Sequence, residues 1–205
     1  MSVRVAVLAS GSGTNLQAIL DHFASLHGRA PGRVVLVVSD RKDAGALDRA
    51  RHAGAEAVHL PASQSNAELG ALLSEHEIRV VALAGYLRLI PADVTRTFRG
   101  RIVNVHPALL PKFGGSGMYG MKVHEAVLAS GAKESGATVH FVDDQYDRGT
   151  IIARAKVPVL AGDTPSSLAA RVLKEEHTLY PKVVAALCAG TVTLHQDGTV
   201  SGWKD

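Results

Sequence analysis

A chain of 205 residues, of which 46% are apolar and 20% are charged, is long enough to form one domain with a full hydrophobic core. The net charge of +3 comes from dispersed basic residues and only 4% of residues are aromatic, which argues against a nucleic-acid-binding surface and fits a small anionic ligand. The single cysteine, Cys188, excludes an intramolecular disulfide and a cysteine-based metal cluster, and its apolar setting predicts a buried side chain.

The N-terminal half alternates between β-branched apolar runs and amphipathic segments with helical spacing. This pattern predicts parallel strands joined by helices and hence an α/β fold with an open, doubly wound, mainly parallel sheet. The predicted strands cover residues 3–9, 33–40, 56–60, 79–85 and 101–106, and the predicted helices cover residues 16–26, 43–54, 66–78 and 91–98.

The pattern changes after residue 107. A helix at 124–131 is followed by two apolar segments, 135–144 and 150–160, which predict an antiparallel C-terminal extension of the sheet. Residues 164–190 predict a long helix capped by Thr164, with a short strand after it and a loosely held tail. No linker or repeat interrupts the chain, so we expect one domain.

Neither end of the chain nor its interior carries a targeting or membrane signal. The N-terminal segment lacks the layout of a signal peptide, and no apolar run reaches the roughly 18 residues of a membrane helix. We therefore expect a cytoplasmic protein that does not bind a membrane.

The stretch ASGSGTN joins the first predicted strand to the first predicted helix. Its two glycines match the start of the dinucleotide fingerprint, but Leu16 stands at the third glycine position, and no P-loop lysine follows. The turn would leave the backbone N–H groups of Gly13, Thr14 and Asn15 free at a helix N-terminus, which suits one phosphate group. A tight turn without a ligand is the alternative.

The stretch NVHP ends the fifth predicted strand. Asn104 and His106 are two residues apart, so their side chains share one face at the strand's C-terminal end, where open parallel sheets bind ligands. An amide can donate to a developing oxyanion, and an imidazole can donate or carry a proton near pH 7. A purely structural polar pair is the alternative.

Three acidic residues, Asp143, Asp144 and Asp147, follow in FVDDQYDRG between two apolar segments. A carboxylate near His106 would orient the imidazole and raise its pKa. Carboxylates solvated in a turn are the alternative, and spacing does not choose among the three.

Metal binding and acyl-enzyme chemistry have little support in the sequence, because it contains neither an HExxH motif nor a G-x-S-x-G motif. Glu175, Glu176 and His177 in the long predicted helix form either a solvated patch or a contact to a polar ligand.

Over residues 5 to about 187 the chain resembles the phosphoribosylglycinamide formyltransferase family, the folate-dependent formyltransferases of purine synthesis. The matching segments are LASGSGTNLQAI, VVSDR, LAGYLRLI, IVNVHPALLPKF, GATVHFVDDQYDRGTII, AKVPVLAGDT and RVLKEEHTLYP. NVHPALLP with a downstream D-x-G is specific to formyl-folate enzymes and their hydrolase relatives. The resemblance implies a Rossmann-like formyltransferase fold in one domain, residues 1–205. A nucleotide-phosphate half would extend to about residue 100, and a folate and catalytic half would cover about 101–190.

The resemblance also implies roles for individual residues. Asn104 and His106 correspond to the catalytic pair, and Asp147 to the carboxylate that holds and tunes the histidine. Glu176 corresponds to the residue that holds the ribose hydroxyls. The phosphate cradle corresponds to the backbone of Gly13, Thr14 and Asn15.

A folate site and its co-substrate follow from the same resemblance. The segment that receives the pterin corresponds to Leu87, Arg88, Leu89 and Ile90, with Asn104, Asp143 and Asp144 on the opposite side. The co-substrate would be 10-formyltetrahydrofolate, with glycinamide ribonucleotide as acceptor and without metal or nicotinamide. The expected partners are small molecules only, and the protein would be a monomer or homodimer.

Two features depart from the family pattern. Many relatives carry Lys, Arg or Gln one turn before the ribose glutamate, where this chain has Leu173 followed by Lys174. The Gly-rich stretch 113–124 is a long version of its loop and a candidate lid over the substrates.

Three hypotheses follow for the activity. The first is the glycinamide formyltransferase reaction. The second is another formyl-folate enzyme, either a methionyl-tRNA formyltransferase with an added C-terminal RNA-binding domain or a hydrolase with an N-terminal regulatory domain, and 205 residues leave no room for either addition. The third is a nucleotide-binding module without catalysis.

Overall fold

The computed structural model describes residues 2–61, 63 and 66–204 of the chain. The strands are β1 (Val3–Leu8), β2 (Gly32–Ser39), β3 (Glu56–His59), β4 (Val80–Leu83), β5 (Ile102–His106), β6 (Glu134–Phe141), β7 (Ile151–Pro158), β8 (Thr193–Leu194) and β9 (Val200–Ser201). The helices are α1 (Thr14–Ser25), α2 (Gly45–His52), α3 (Asn66–Glu75), α4 (Ala92–Thr97), α5 (Met121–Ala129) and α6 (Pro165–Cys188). Within the described ranges, no helix combines the length and apolar character needed to cross a membrane.

Seven strands form one sheet in the order β3-β2-β1-β4-β5-β6-β7. The pairings from β3 through β5 are parallel, whereas β6 is antiparallel to both β5 and β7. This arrangement confirms the predicted mainly parallel, doubly wound sheet with an antiparallel extension. The strand order reverses direction between β1 and β4, which is where open α/β sheets form a ligand crevice.

The parallel strands are covered on both faces, as their continuous apolar runs predict. In β1, Val5 and Val7 belong to a core that includes residues of α1, α2 and α6. Ala6 and Leu8 face the other side and join a core that includes residues of α3 and α4. The alternation along one strand therefore builds two hydrophobic layers, and polar functional groups are left to the ends of the strands.

Helix α6 contacts two neighbouring strands, β4 and β5, through the hydroxyl group of Tyr180. This fully buried oxygen lies 2.8 Å from the carbonyl oxygen of Leu83 and 3.0 Å from that of Val103. One hydroxyl hydrogen thus serves two carbonyls, one at the C-terminal end of β4 and one near the start of the neighbouring strand β5. Burial raises the pKa of the phenol well above its ordinary value, so the group stays a donor at physiological pH.

Two sequence-based expectations about loops were wrong. The tail was expected to be loosely held, but β9 pairs with β8 and His195 donates its backbone N–H to Thr199, so the described tail forms a hairpin. Helix α5 was expected to begin at residue 124 but begins at Met121, so the predicted lid segment 113–124 ends in a helical turn. Strands β8 and β9 have only two residues each, which is too short for an alternating pattern. The start of α5 directly follows a Gly-rich stretch, which has no helical periodicity.

Cys188 near the end of α6 is buried, as predicted. Its sulfur packs so closely on Gly32 that an added Cβ there would lie 2.6 Å from it. Burial raises the pKa of the thiol to about 12, so the side chain behaves as an apolar packing group. The capping prediction for α6 was also correct, because the Thr164 side chain accepts from the backbone N–H of Ser167.

Candidate active site

A cleft of about 810 Å³ lies at the C-terminal edge of the parallel strands. It is built from the loops after β1 and β4, the end of β5, the loop before α5, the loop between β6 and β7, and one face of α6. The cleft thus opens at the point where the strand order reverses, as the fold predicts. Most of the sequence-predicted site residues lie within it.

One end of the cleft is the glycine turn that precedes α1. Gly13 is the N-cap residue, with a left-handed φ of 75°. A Cβ at this position would lie 2.7 Å from the Cα of Ala46, so the close approach of α2 also requires glycine. The backbone N–H groups of Gly13, Thr14 and Asn15 have no hydrogen-bond acceptor among the described residues. They form a row of donors at a helix N-terminus, which suits an anion.

Glu176 on α6 faces this turn across the cleft. Its Oε2 accepts a hydrogen bond from Nδ2 of Asn15 at 2.6 Å, and the carboxyl group is only 7% exposed. Burial raises the pKa of Glu176, and the bond from Asn15 offsets only part of that rise. The Oδ1 atom of Asn15 is buried and no described residue bonds to it, so this side chain keeps hydrogen-bonding capacity for a ligand.

Leu173 lies one helical turn before Glu176 and lines the same cleft. Lys174 is exposed and does not line the cleft, so its position does not support a role in place of the cation expected at position 173. The cation that does contact the glycine turn is Arg49 of α2, whose Nε donates to the carbonyl oxygen of Ser12 at 2.9 Å. Sequence reasoning did not single out Arg49, because its link to the turn depends on how α2 packs.

The centre of the cleft brings Asn104, His106 and Asp147 together. Nδ1 of His106 lies 3.4 Å from Oδ2 of Asp147, and Nδ2 of Asn104 lies 3.4 Å from Oδ1 of the same carboxylate. The choice of Asp147 among three acidic residues, which came from the family resemblance, thus agrees with this geometry.

A fourth polar residue, His140, was missed by the sequence reasoning. It lies directly opposite Asn104 in the antiparallel pairing of β5 and β6, and its Nε2 is 3.1 Å from Nδ2 of Asn104. Its Nδ1 donates to the carbonyl oxygen of Phe141 at 2.7 Å, and its Nε2 also lies 3.6 Å from Oδ1 of Asp147, so the ring contacts both Asn104 and the carboxylate. A histidine in a buried strand was a possible signal, but only the register of the two strands identifies its partner.

The start of the predicted lid segment contacts the central cluster directly. Nε2 of His106 donates to the carbonyl oxygen of Phe113 at 2.8 Å, and the N–H of Gly115 donates to Oδ2 of Asp147 at 2.9 Å. Gly114 between them has no room for a side chain, because a Cβ would lie 2.4 Å from Leu110. Residues 113–115 therefore hold the histidine and the carboxylate in place rather than covering them.

The ionisation of the pair reflects two opposing effects. Burial lowers the pKa of His106, and the charge of Asp147 and the Phe113 carbonyl offset only part of this, so the net shift is downward. The carboxylate thus raises the pKa of His106 as expected, but burial has the larger effect, which the sequence did not predict. Burial raises the pKa of Asp147, but its bonds and charge interactions with His140, His106 and Gly115 outweigh this and lower it overall.

The far end of the cleft is mainly apolar. Among the described residues, five large apolar side chains are exposed, and four of these line the cleft: Leu89, Tyr119, Met121 and Tyr146. The predicted pterin segment, Leu87 to Ile90, also lines it. Asp143 and Asp144 do not, and Asp143 instead accepts from the backbone N–H of Gln145 at 2.9 Å. The acidic loop thus presents its later residues, Gln145 to Asp147, to the cleft.

Comparison with known families and proteins gives one consistent result. The family described as formyl transferase matches residues 3–184. The chloroplastic phosphoribosylglycinamide formyltransferase of Vigna unguiculata is 47% identical over 201 residues, which are 95% of this chain and 64% of the plant protein. This chain therefore spans just under two thirds of the length of that relative.

A bacterial relative and a solved structure match over nearly their whole length. The phosphoribosylglycinamide formyltransferase of Escherichia coli is 37% identical over 209 residues, covering 99% of this chain and 94% of the relative. The crystal structure of glycinamide ribonucleotide transformylase 1 from Symbiobacterium toebii superimposes with a TM-score of 0.89 at 42% identity, covering 99% of this chain and 95% of the other.

Proposed function

This chain belongs to the formyl transferase family, and we propose that it transfers the formyl group of 10-formyltetrahydrofolate to the amino group of 5′-phosphoribosylglycinamide in de novo purine biosynthesis. One observation carries the proposal: a single cleft joins an anion-binding helix N-terminus, a buried carboxylate and an Asn–His–Asp cluster. Two relatives named phosphoribosylglycinamide formyltransferase, from Vigna unguiculata and Escherichia coli, are 47% and 37% identical to the chain.

The ribonucleotide would bind along the glycine turn and α6. Its phosphate accepts hydrogen bonds from the N–H groups of Gly13, Thr14 and Asn15, where the positive end of the α1 dipole adds to the attraction. The carboxylate of Glu176 accepts from the ribose hydroxyls. Leu173 gives the phosphate no charged side chain, so backbone donors supply most of its contacts.

The folate co-substrate would occupy the apolar end of the cleft. Its pterin ring suits the segment Leu87 to Ile90, where backbone groups and apolar side chains border the cleft together. The ribonucleotide would contact Gly13 and Glu176, and the formyl-folate would contact Leu87 and Asn104. Each substrate would therefore draw on residues before and after residue 100 of the proposed single domain, residues 1–205. Neither a metal nor nicotinamide has a role in the proposed reaction.

The chemistry begins with attack of the glycinamide amine on the formyl carbon. Negative charge develops on the formyl oxygen, and Asn104 can donate to it once that oxygen replaces the long 3.4 Å contact to Asp147. Nε2 of His106 is held by the Phe113 carbonyl, so the Nδ1–H group would donate to the formyl oxygen in place of its long 3.4 Å contact to Asp147. Donors placed in this way typically contribute about 3–4 kcal/mol each to transition-state stabilisation.

Completing the reaction requires a proton to move between two nitrogens. As the new C–N bond forms and the bond between the formyl carbon and folate N10 breaks, the amine loses a proton and N10 gains one. Asp147 favours the protonated form of His106 and assists the transfer. No covalent intermediate forms on the protein, in keeping with the direct amine attack.

The proposal is tested by the folate absorbance change on mixing the enzyme with 10-formyltetrahydrofolate and glycinamide ribonucleotide. Water alone and free glycine in place of the ribonucleotide are the controls. We expect turnover only with the ribonucleotide. Turnover with water alone would identify a hydrolase, and full turnover by His106→Ala would contradict the catalytic assignment and leave a binding module as the alternative.

Small molecules are the only partners that the proposed reaction needs. The described residues of one chain border the cleft, so the proposed site needs no second chain, and we propose a monomer or a homodimer. Sedimentation of the active enzyme across a range of concentrations distinguishes these two states, and a larger assembly would contradict the proposal.

A further inference from the structure

His124 is a buried histidine in the cleft that the proposed mechanism does not use. It lies in the first turn of α5 and is only 4% exposed, and it lines the same cleft as Asn104 and His106. Its Nδ1 is fully buried and has no hydrogen-bond partner in the part of the chain that the structure describes. Most buried polar atoms in folded proteins are paired, so an unpaired imidazole beside a reaction centre needs a reason.

The surroundings of His124 favour the neutral imidazole. Burial lowers the pKa of His124, and the positive charge of His106 lowers it further. The side chain is also close to the N-terminal end of α5, where the helix dipole disfavours a cation. The cleft would thus pair one chargeable imidazole, on β5, with one that remains neutral.

The position of the proton on the neutral ring follows from the buried nitrogen. A proton on Nδ1 would leave a buried N–H without an acceptor, and orphaned N–H groups are rarer than unpaired acceptors. The proton therefore belongs on Nε2, which has no partner among the described residues either. His124 then presents an uncharged N–H donor to whatever acceptor occupies the cleft.

In the proposed complex, the glycinamide carbonyl of the ribonucleotide has no donor assigned to it. The phosphate and ribose would contact the glycine turn and Glu176, and the formyl oxygen would contact Asn104 and His106. The carbonyl oxygen of the glycinamide lies between these two groups. We propose that His124 positions the ribonucleotide by donating its Nε2–H to this amide carbonyl, an inference that rests on the proposed function.

Three substitutions of His124 distinguish its role as a hydrogen-bond donor from its role in packing. The amide nitrogen of glutamine is as many bonds from Cβ as the imidazole Nε2, and that of asparagine is as many bonds from Cβ as Nδ1. His124→Gln should therefore keep KM for the ribonucleotide within about threefold of wild type, because the glutamine amide N–H can still donate to the glycinamide carbonyl. His124→Asn and His124→Leu should each raise it about tenfold.

The experiment measures kcat and both KM values by initial rates, with thermal unfolding of each variant as a check on folding. The turnover number and the KM for formyl-folate should stay within about threefold in all variants. The hydrogen bond from His124 would stabilise the bound ribonucleotide equally in the ground state and in the transition state, so its loss changes only the KM for that substrate. His52→Gln is a matched control, because His52 is exposed on α2 and its Nδ1 donates to its own helix at Asp48. Its kinetics should equal wild type.

Four results would overturn the inference: equal KM values for the asparagine and glutamine variants, a wild-type KM for the leucine variant, a loss confined to kcat, or a changed KM for formyl-folate. If the leucine variant does not fold, the comparison of asparagine with glutamine decides. A wild-type enzyme that transfers no formyl group would refute the proposed function instead. In that event calorimetric titration with the ribonucleotide still compares the affinity of the three variants with wild type, and equal affinities would overturn the role of His124.

Discussion

Replacing Asp147 with asparagine should slow formyl transfer at pH 7 and move the alkaline limb of the kcat profile to lower pH. Asparagine keeps the shape of the side chain and an oxygen that can accept from the N–H of Gly115. What it removes is the negative charge 3.4 Å from Nδ1 of His106. The variant therefore isolates the electrostatic contribution of the carboxylate.

The size of the effect can be estimated from that distance. Two unit charges 3.4 Å apart interact by about 5 kcal/mol at an effective dielectric constant of about 20. Solvent reorganisation reduces such interactions to about 1–3 pKa units in most proteins. Burial already lowers the pKa of His106, so losing the carboxylate lowers it further. At a pH above that pKa, the protonated fraction and kcat should then fall about 10- to 1000-fold.

The assay is the folate absorbance change at saturating substrates between about pH 5 and 9, because kcat reports the groups of the enzyme–substrate complex. The activity of the variant should recover toward wild type at the acidic end, where His106 is protonated in both proteins. A profile scaled down by a constant factor, or an alkaline limb moved to higher pH, would refute the reasoning. Asp48→Asn, which removes an exposed carboxylate paired with Arg51 on α2, should leave the profile unchanged.

Three further outcomes are expected. Glu176→Gln should raise KM for the ribonucleotide about 10- to 100-fold in initial-rate kinetics and leave KM for formyl-folate unchanged, because the lost charged acceptor serves only the ribose. Tyr180→Phe should lower the free energy of unfolding by about 1–3 kcal/mol in urea titrations with an unchanged slope, since it leaves the buried carbonyls of Leu83 and Val103 without their donor. Cys188, with a pKa of about 12, should react with a disulfide reagent at pH 8 only after denaturation, and rapid labelling of the native protein would contradict its burial.

The sequence was most informative where local pattern and tertiary structure coincide. The β-branched runs predicted β1 to β5, and the two-residue spacing of Asn104 and His106 predicted that both side chains reach the ligand edge of the sheet. Both predictions depend only on alternation within one strand, so they required no knowledge of neighbouring elements.

The parts that sequence reasoning missed depend on contacts between distant segments. His140 meets Asn104 because of the register of an antiparallel pair, and Phe113 meets His106 because a loop folds back over the strand end. The downward shift in the histidine pKa likewise depends on how completely the fold removes water from the ring. None of these has a periodic signal, and Asp147 itself was selected from three candidates by family resemblance.

Helix α6 also sets a length constraint on the chain. Glu176, beside the glycine turn, and Tyr180, which contacts β4 and β5, are four residues apart, which is about 6 Å along the axis. Inserting or deleting one residue between them would rotate one group by about 100° relative to the other. Functional variants should therefore tolerate many changes of residue type at exposed positions such as Thr178, but no change in the number of residues in this turn.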